Sequence, residues 1–185
     1  MKAFVKGLFA VILMLACKTT FAQQTTNTDE FKREFLENIN HVRQKGCSCG
    51  TVRMAPAPPL VWNEQLEIAA IGHAADMSKK NYFSHNSQDG RTSDQRMVAA
   101  GYGYNGFKSF AVGENIAQGQ MSIAEVMAGW FKSPGHCKNL MNPEFKEVGI
   151  AKYNDYWVQD FGGRIPFSEE EQKLLKSGKA KLIKN

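Results

Sequence analysis

Residues 148–161 read Val148-Gly149-Ile150-Ala151-Lys152-Tyr153, then Asn154-Asp155, then Tyr156-Trp157-Val158-Gln159-Asp160-Phe161. Apolar residues alternate or run through both halves, and a polar pair divides them, which is the pattern of a β-hairpin. Upstream the pattern changes to helical spacing. Ser122, with Glu125 three residues later, forms a capping box, and Ile123, Val126, Met127 and Trp130 share one face of the helix that follows. Ser133-Pro134-Gly135 breaks that helix, and a short turn is expected through about Met141. Asn115 to Ala117 reads as a short strand.

Further outward, Asp29–Lys45 reads as a helix with an apolar stripe of Phe31, Phe35, Ile39 and Val42, stopped by Gly46. Residues 47–61 contain Pro56, Pro58 and Pro59, and no regular element is expected there. Asn63 caps a helix to about Lys80 that places Leu66, Ala70, His73 and Met77 on one face. A turn-rich stretch, 81–91, contains His85. Thr92 or Ser93 caps a third helix to about Ala100, and a Gly- and aromatic-rich segment, 101–113, follows. Ser168 and Glu171 form another capping box before a frayed, Lys-rich end. The expectation is one α+β domain over 29–165, helices around a small antiparallel sheet, with a short helical tail at 166–185.

The chain has 185 residues, 43% hydrophobic and 22% charged, so it holds one core and is not a disordered, collagen-like or coiled-coil chain. Its formal charge of +5 is concentrated at the ends. Residues 1–22 carry Lys2, Lys6 and Lys18 without an acid, whereas residues 23–164 balance 15 basic against 15 acidic groups. A nucleic-acid binder carries its basic excess on the folded body, so no nucleic-acid partner is expected.

Residues 1–22 read as a signal peptide: a charged start, an apolar run from Leu8 to Ala16, and Thr20-Phe21-Ala22 as the cleavage site. The run is too short to span a bilayer, which needs about 20 apolar residues. Residues 23–28 are a polar linker. The alternative is a bacterial lipobox, Met14-Leu15-Ala16-Cys17, which makes Cys17 a lipid anchor. Either route takes the chain out of the cytoplasm, secreted, periplasmic or on the cell envelope.

Outside the leader stand Cys47, Cys49 and Cys137, which in an oxidising compartment means one disulfide and one thiol left over. A Cys47–Cys49 ring is strained, so Cys137 is a partner of one of the two. A zinc site of the usual paired spacing is not present. Gly101-Tyr102-Gly103-Tyr104-Asn105-Gly106 matches G-x-G-x-x-G, but a helix precedes it where a dinucleotide site needs a strand, and no organic cofactor is expected. Of the histidines, His41 lies beside the first helix stripe and His73 on an apolar face. His85 and His136 each follow a helix, where side chains from separate elements can converge. With Glu114 they offer a ligand set for zinc or another divalent cation. Without an ion, one His is a base and Glu114 its orienting group.

Six blocks then come in order: Leu60-Val61-Trp62-Asn63 with Ala69-Ala70-x-x-His73-Ala74-x-Asp76-Met77; Asn81-Tyr82-Phe83-Ser84-His85; Gly113-Glu114-Asn115-Ile116-Ala117; Gly129-Trp130-Phe131-x-Ser133-Pro134-Gly135-His136; Asn142-Pro143-x-Phe145-x-Glu147-Val148-Gly149; and Tyr156-Trp157-Val158-Gln159-Asp160-Phe161-Gly162. Together they closely resemble the bacterial SCP-domain branch of the CAP superfamily, over about residues 30–163. The resemblance implies a three-layer α-β-α sandwich with a central antiparallel sheet and a cleft lined by two His and two acidic residues. It assigns His85, Glu114 and His136 to that cleft. Eukaryotic members carry W-Y-x-E where this chain has Trp130-Phe131-Lys132-Ser133, so Ser133 stands in the place of the second acid. The resemblance also implies a Cys49–Cys137 disulfide, with Cys47 left as the thiol.

Three functions are consistent with these residues. The favoured one is a secreted, monomeric, non-catalytic binding module whose cleft holds a divalent ion and whose partner is a lipid or an extracellular protein; Tyr102, Tyr104, Phe107 and Phe110 form either an apolar contact surface or ordinary packing over the sheet. The second is a zinc-dependent hydrolase, protease or esterase, using His85, His136 and Glu114. The third is an envelope-anchored lipoprotein in adhesion or stress.

Overall fold

The computed structural model describes residues 28–180; the expected leader with Cys17, residues 23–27 of the linker and residues 181–185 lie outside them. Helix boundaries follow from capping chemistry. Thr28 accepts a hydrogen bond from Phe31 N at the start of α1 (Asp29–Lys45), and Gly46 ends it. Asn63 accepts from Gln65 N and Leu66 N to open α2 (Glu64–Lys80). Thr92 opens α3 (Ser93–Ala99), and Ser122 opens α4 (Ile123–Lys132) by accepting from Glu125 N.

Two expectations are corrected by short elements. Residues 47–61 are not devoid of regular structure: Cys47–Cys49 (β1) pairs antiparallel with Val52–Met54 (β2), and Val61–Trp62 is β3. The hairpin closes because Gly50 takes a φ of 63°, and the prolines are confined to the connection after it. The turn expected after Ser133 is instead helix α5 (Pro134–Met141). Proline at the first helical position lacks only a donor that has no partner there, so Pro134 starts a helix rather than ending one.

The sheet is built from β4 (Ser109–Gln118), β5 (Glu147–Tyr153) and β6 (Tyr156–Ile165), with β3 at its edge in the order β3-β5-β6-β4. The expected hairpin is β5–β6. β4 extends well beyond the expected three residues because it pairs along its length with β6, from Ser109↔Ile165 to Gln118↔Tyr156. All pairs are antiparallel except β3 with β5.

Period-two alternation divides the sheet between two helical layers. On one face Ile116, Ala151, Tyr156 and Val158 pack against Ala70, Ala74 and Met77 of α2. On the other, Val148, Ile150, Trp157 and Phe161 meet Phe35 and Ile39 of α1, Trp130 of α4 and Leu140 of α5. This is the three-layer sandwich. α2 sits so close to β5 that a Cβ on Gly149 would run into the backbone of Leu66 and Glu67. The aromatic segment is packing over the sheet: Tyr102 is fully buried and donates to Glu147 Oε2, Tyr104 stacks on Phe110, and the Arg164 guanidinium lies over Tyr102 and Phe107. In the tail, Ser168 and Glu171 cap α6 (Glu169–Lys176), which Lys108 ties to the body through Glu171 at 2.7 Å.

Candidate functional site

Glu114 projects from β4 toward the α2–α3 layer, opposite Asp160 on β6. Its side chain is 2% exposed. Oε1 meets His85 Nδ1 at 2.7 Å and Oε2 meets Arg96 Nη2 at 2.6 Å. Arg96, reaching from α3, is itself buried, and its Nη1 donates to the carbonyls of His85 and Arg91 and to Ser87 Oγ. The arginine therefore shapes the loop that carries His85 as well as neutralising Glu114. The His85 side chain is 55% exposed, with its Nδ1 held by the carboxylate.

Asp160 lies beneath this group at 1% exposure. Burial pushes its pKa well above the ordinary carboxylate value; the negative charge of Glu114 adds to the rise, and Arg96 opposes it. The site thus favours the neutral form of Asp160, whose carboxyl oxygens have no hydrogen-bond partner among the described residues. Behind the network, His73 is fully buried and its Nε2 contacts Ser84 O at 2.9 Å, so it is a core residue that fixes the chain just before His85. Burial is the main reason its pKa falls. His41 is exposed at the α1 surface and lies 3.0 Å from Lys45 Nζ.

His136 comes from the first turn of α5. Asn115 Nδ2 donates to its carbonyl, and Asn139 Nδ2 donates to Glu114 O and Asn115 Oδ1, so α5 is stitched onto β4 beside Glu114. The His136 ring titrates below its ordinary value because burial disfavours the cation and because a charge on His85 repels it. Among the described residues, however, only Cys47, Cys49 and Cys137 bring three potential ligand atoms within 4.8 Å of one another. His85, Glu114 and His136 form no closed ligand set of that kind. Ser133 and His136 line one side of a groove of about 350 Å³ whose other walls include Phe83, Ile116, Val126 and Trp130.

The Cys49–Cys137 disulfide straps β1 to α5 one residue beyond His136, and Cys47 is the free thiol. Two members of the network escaped the reading of the sequence. Asp160 was visible as a charged residue on the inward phase of an apolar strand. Arg96 left no such signal, since a helix of seven residues offers too little periodicity to show that an arginine points inward.

The model of the cysteine-rich secretory protein family (CAP) matches residues 36–161. Among curated proteins, the uncharacterized protein YkwD of Bacillus subtilis (strain 168) is 31% identical over 147 residues, which is 78% of this chain and 52% of that protein. The uncharacterized membrane protein YlbC of the same organism is 32% identical over 102 residues, 55% of this chain and 28% of that one. This chain therefore spans about half the length of the first relative and less of the second. Among solved structures, an extracellular protein containing a SCP domain from Bacillus anthracis str. Ames superimposes with a TM-score of 0.60 at 28% identity, covering 77% of this chain and 45% of that one. An outer surface protein from Borrelia burgdorferi gives a TM-score of 0.60 at 22% identity, over 75% of this chain and 96% of that one, a likeness of fold.

Proposed function

Because the chain belongs to the cysteine-rich secretory protein (CAP) family, we propose that it is an exported, non-catalytic binding module whose cleft holds a divalent cation on His85 and His136. The adjoining groove takes the apolar part of a lipid. One observation carries the reading: the contact between His85 Nδ1 and Glu114 Oε1 at 2.7 Å, on a carboxylate that is itself held by Arg96. A carboxylate on one ring nitrogen fixes the tautomer and leaves the other nitrogen as an oriented lone pair, the usual support for a metal-binding imidazole. His136, kept neutral by burial, has the complementary chemistry. Two neutral imidazole nitrogens are donors of the kind zinc takes, so His85 and His136 would hold the ion, and when bound it would supply Lewis acidity to whatever occupies the cleft. Glu114 orients and does not ligate, since both of its oxygens are engaged.

The same engagement counts against the hydrolase reading, which needs Glu114 free to accept a proton from water. Export is supported by the disulfide, which persists in oxidising compartments, and by the extracellular and outer-surface descriptions of the structural neighbours. No helix of the described residues is long and apolar enough to cross a membrane. The groove beside His136 carries Phe83 at 49% exposure, an apolar wall suited to an acyl chain.

Calorimetric titration with Zn²⁺ tests the reading. One ion per chain is expected for the wild type, with binding abolished in His85→Ala/His136→Ala and weakened about 10- to 100-fold in Glu114→Gln. A wild type that binds no zinc, or a double variant that binds it equally well, overturns the ion site. Lipid retained on extraction supports the groove assignment, and capture of an extracellular protein in its place assigns the groove to a protein partner. A peptide or ester library hydrolysed by the wild type and spared by Glu114→Gln turns the assignment to the hydrolase.

A further inference from the structure

Three sulfurs meet at the seam between β1 and α5. Cys47 and Cys49 are two residues apart on one strand, so their side chains leave the same face of the hairpin. That face, which also carries Met54 of β2, covers Cys137 and Met141 of α5. Cys49 and Cys137 are bonded and almost wholly buried, at 1% and 0% exposure. The Cys47 sulfur lies 3.8 Å from that of Cys137 and 4.0 Å from that of Cys49. Cys47 is half-buried, whereas the bond its sulfur touches is sealed.

We propose that these cysteines form an exchange centre in which Cys137 alternates its disulfide partner between Cys49 and Cys47. The step is redox-neutral. The Cys47 thiolate attacks the Cys137 sulfur, a Cys47–Cys137 bond forms, the Cys49–Cys137 bond breaks, and Cys49 leaves as a thiolate that takes up the proton Cys47 gave to solvent. No outside oxidant or reductant is consumed. The near-equal distances put Cys47 beside the bond rather than at its end, so attack requires a turn about its Cα–Cβ bond to bring the three sulfurs into line. The partial exposure of Cys47 leaves room for that turn. Exchange shifts the tether of α5 by two residues along β1, about 7 Å of strand. Because Cys137 directly follows His136, the shift is felt at the turn of α5 that presents His136 to the cleft.

The test is thiol mapping on the full chain. Wild-type protein is equilibrated with a trace of a small thiol and quenched with an alkylating agent, and the peptide spanning residues 46–53 is fragmented to locate the label. Label on Cys49 in some molecules and on Cys47 in others is expected; label confined to Cys47 overturns the proposal. Cys49→Ser provides a second reading. After air oxidation, with folding verified by circular dichroism, it is expected to contain an intramolecular Cys47–Cys137 disulfide. A folded Cys49→Ser protein that keeps both thiols free, or that pairs them only between chains, counts against exchange. Cys47→Ser retains the Cys49–Cys137 bond, and its label is lost from residues 46–53.

Discussion

Arg43 and Arg96 are both buried in this domain, on opposite sides of the sheet, and they are satisfied in different ways. Arg43, at 0% exposure under α1, is surrounded by backbone: its Nε donates to Pro58 O at 2.7 Å, Nη1 to Leu140 O and Asn142 O, and Nη2 to Phe145 O. Among the described residues no carboxylate pairs with it. Burial lowers its pKa to about 10, so it remains a cation at neutral pH. Arg96, at 5% exposure, shares its donors between loop groups and the Glu114 carboxylate. The first arginine closes the ends of several elements and leads to no exposed group. The second leads through the Glu114 carboxylate to His85, which faces solvent. A buried cation by itself therefore says little about function; what matters is whether its charge is passed on to a group that can meet a ligand.

Removing each arginine breaks this comparison most directly. Arg43→Met removes the guanidinium donor from four carbonyls in a dry interior, of which Asn142 O still accepts from Phe145 N, and unmade hydrogen bonds of this kind cost about 1–3 kcal/mol each. With partial relaxation the expected loss is about 5 kcal/mol by urea unfolding, the largest single-residue effect expected here. A loss below about 1 kcal/mol shows that water replaces the guanidinium and that the cage is not structural. Arg96→Met strands the buried Glu114 carboxylate beside Asp160, and breaking a buried pair costs about 3–5 kcal/mol. The lower end of that range is expected, because Glu114 Oε1 keeps its contact with His85 Nδ1. Adding Glu114→Gln removes the stranded charge, so Arg96→Met/Glu114→Gln should recover about half of the loss. Strict additivity of the two changes, read from a double-mutant cycle, dissolves the network into independent contacts.

The same contrast explains what the sequence could and could not reveal. α1 and α2 were legible to within a residue because their caps, stripes and stops agree. Arg43 continues the spacing of Phe31, Phe35 and Ile39, so an inward arginine could have been read from periodicity alone. The β5–β6 hairpin was legible from alternation. α5 was missed because Ser-Pro-Gly stops one helix and starts the next with the same residues. The outer half of β4, Ser109–Gly113, closes the Gly- and aromatic-rich segment 101–113 and becomes a strand only through pairing with β6. His85, Glu114 and His136 came from ordered motifs. The Arg96–Glu114–Asp160 contacts join residues from three separate elements, and no local rule links them.

Smaller effects come from the two titrating groups at the inner end of the network, which act in opposite directions. The folded pKa of Asp160 is raised, chiefly by burial and then by the charge of Glu114, above the unfolded value near 3.8. Its contribution to stability is therefore complete below pH 3.8 and is lost as pH rises through the folded value. Asp160→Asn keeps a neutral side chain that can donate to Glu114. Relative to the wild type it should gain stability steadily as pH rises above about 4, measured as paired urea midpoints. A gap that stays constant with pH refutes a raised pKa for Asp160.

His73 acts the other way. Its folded pKa is lowered from 6.5, first by burial, then with Glu114 and Asp76 opposing and Arg96 reinforcing the shift. Above pH 6.5 neither folded nor unfolded chain protonates the ring, and the full contribution is present. As pH falls below 6.5 the unfolded chain takes up a proton that the buried ring refuses, so stability declines until the folded pKa is passed. His73→Gln can keep the hydrogen bond to Ser84 O without the titration. The wild-type-minus-variant difference should then slope between pH 6.5 and 5 by at most about 1.4 kcal/mol per pH unit, the limit for one proton. His136 titrates in a similar range, but it is present in both proteins and cancels in the difference, as does Asp160. A flat difference means that His73 accepts its proton while folded. The interior beneath His85 is then wet, and Arg96 resembles an ordinary surface ion pair more than the sealed cation that Arg43 represents on the other side of the sheet.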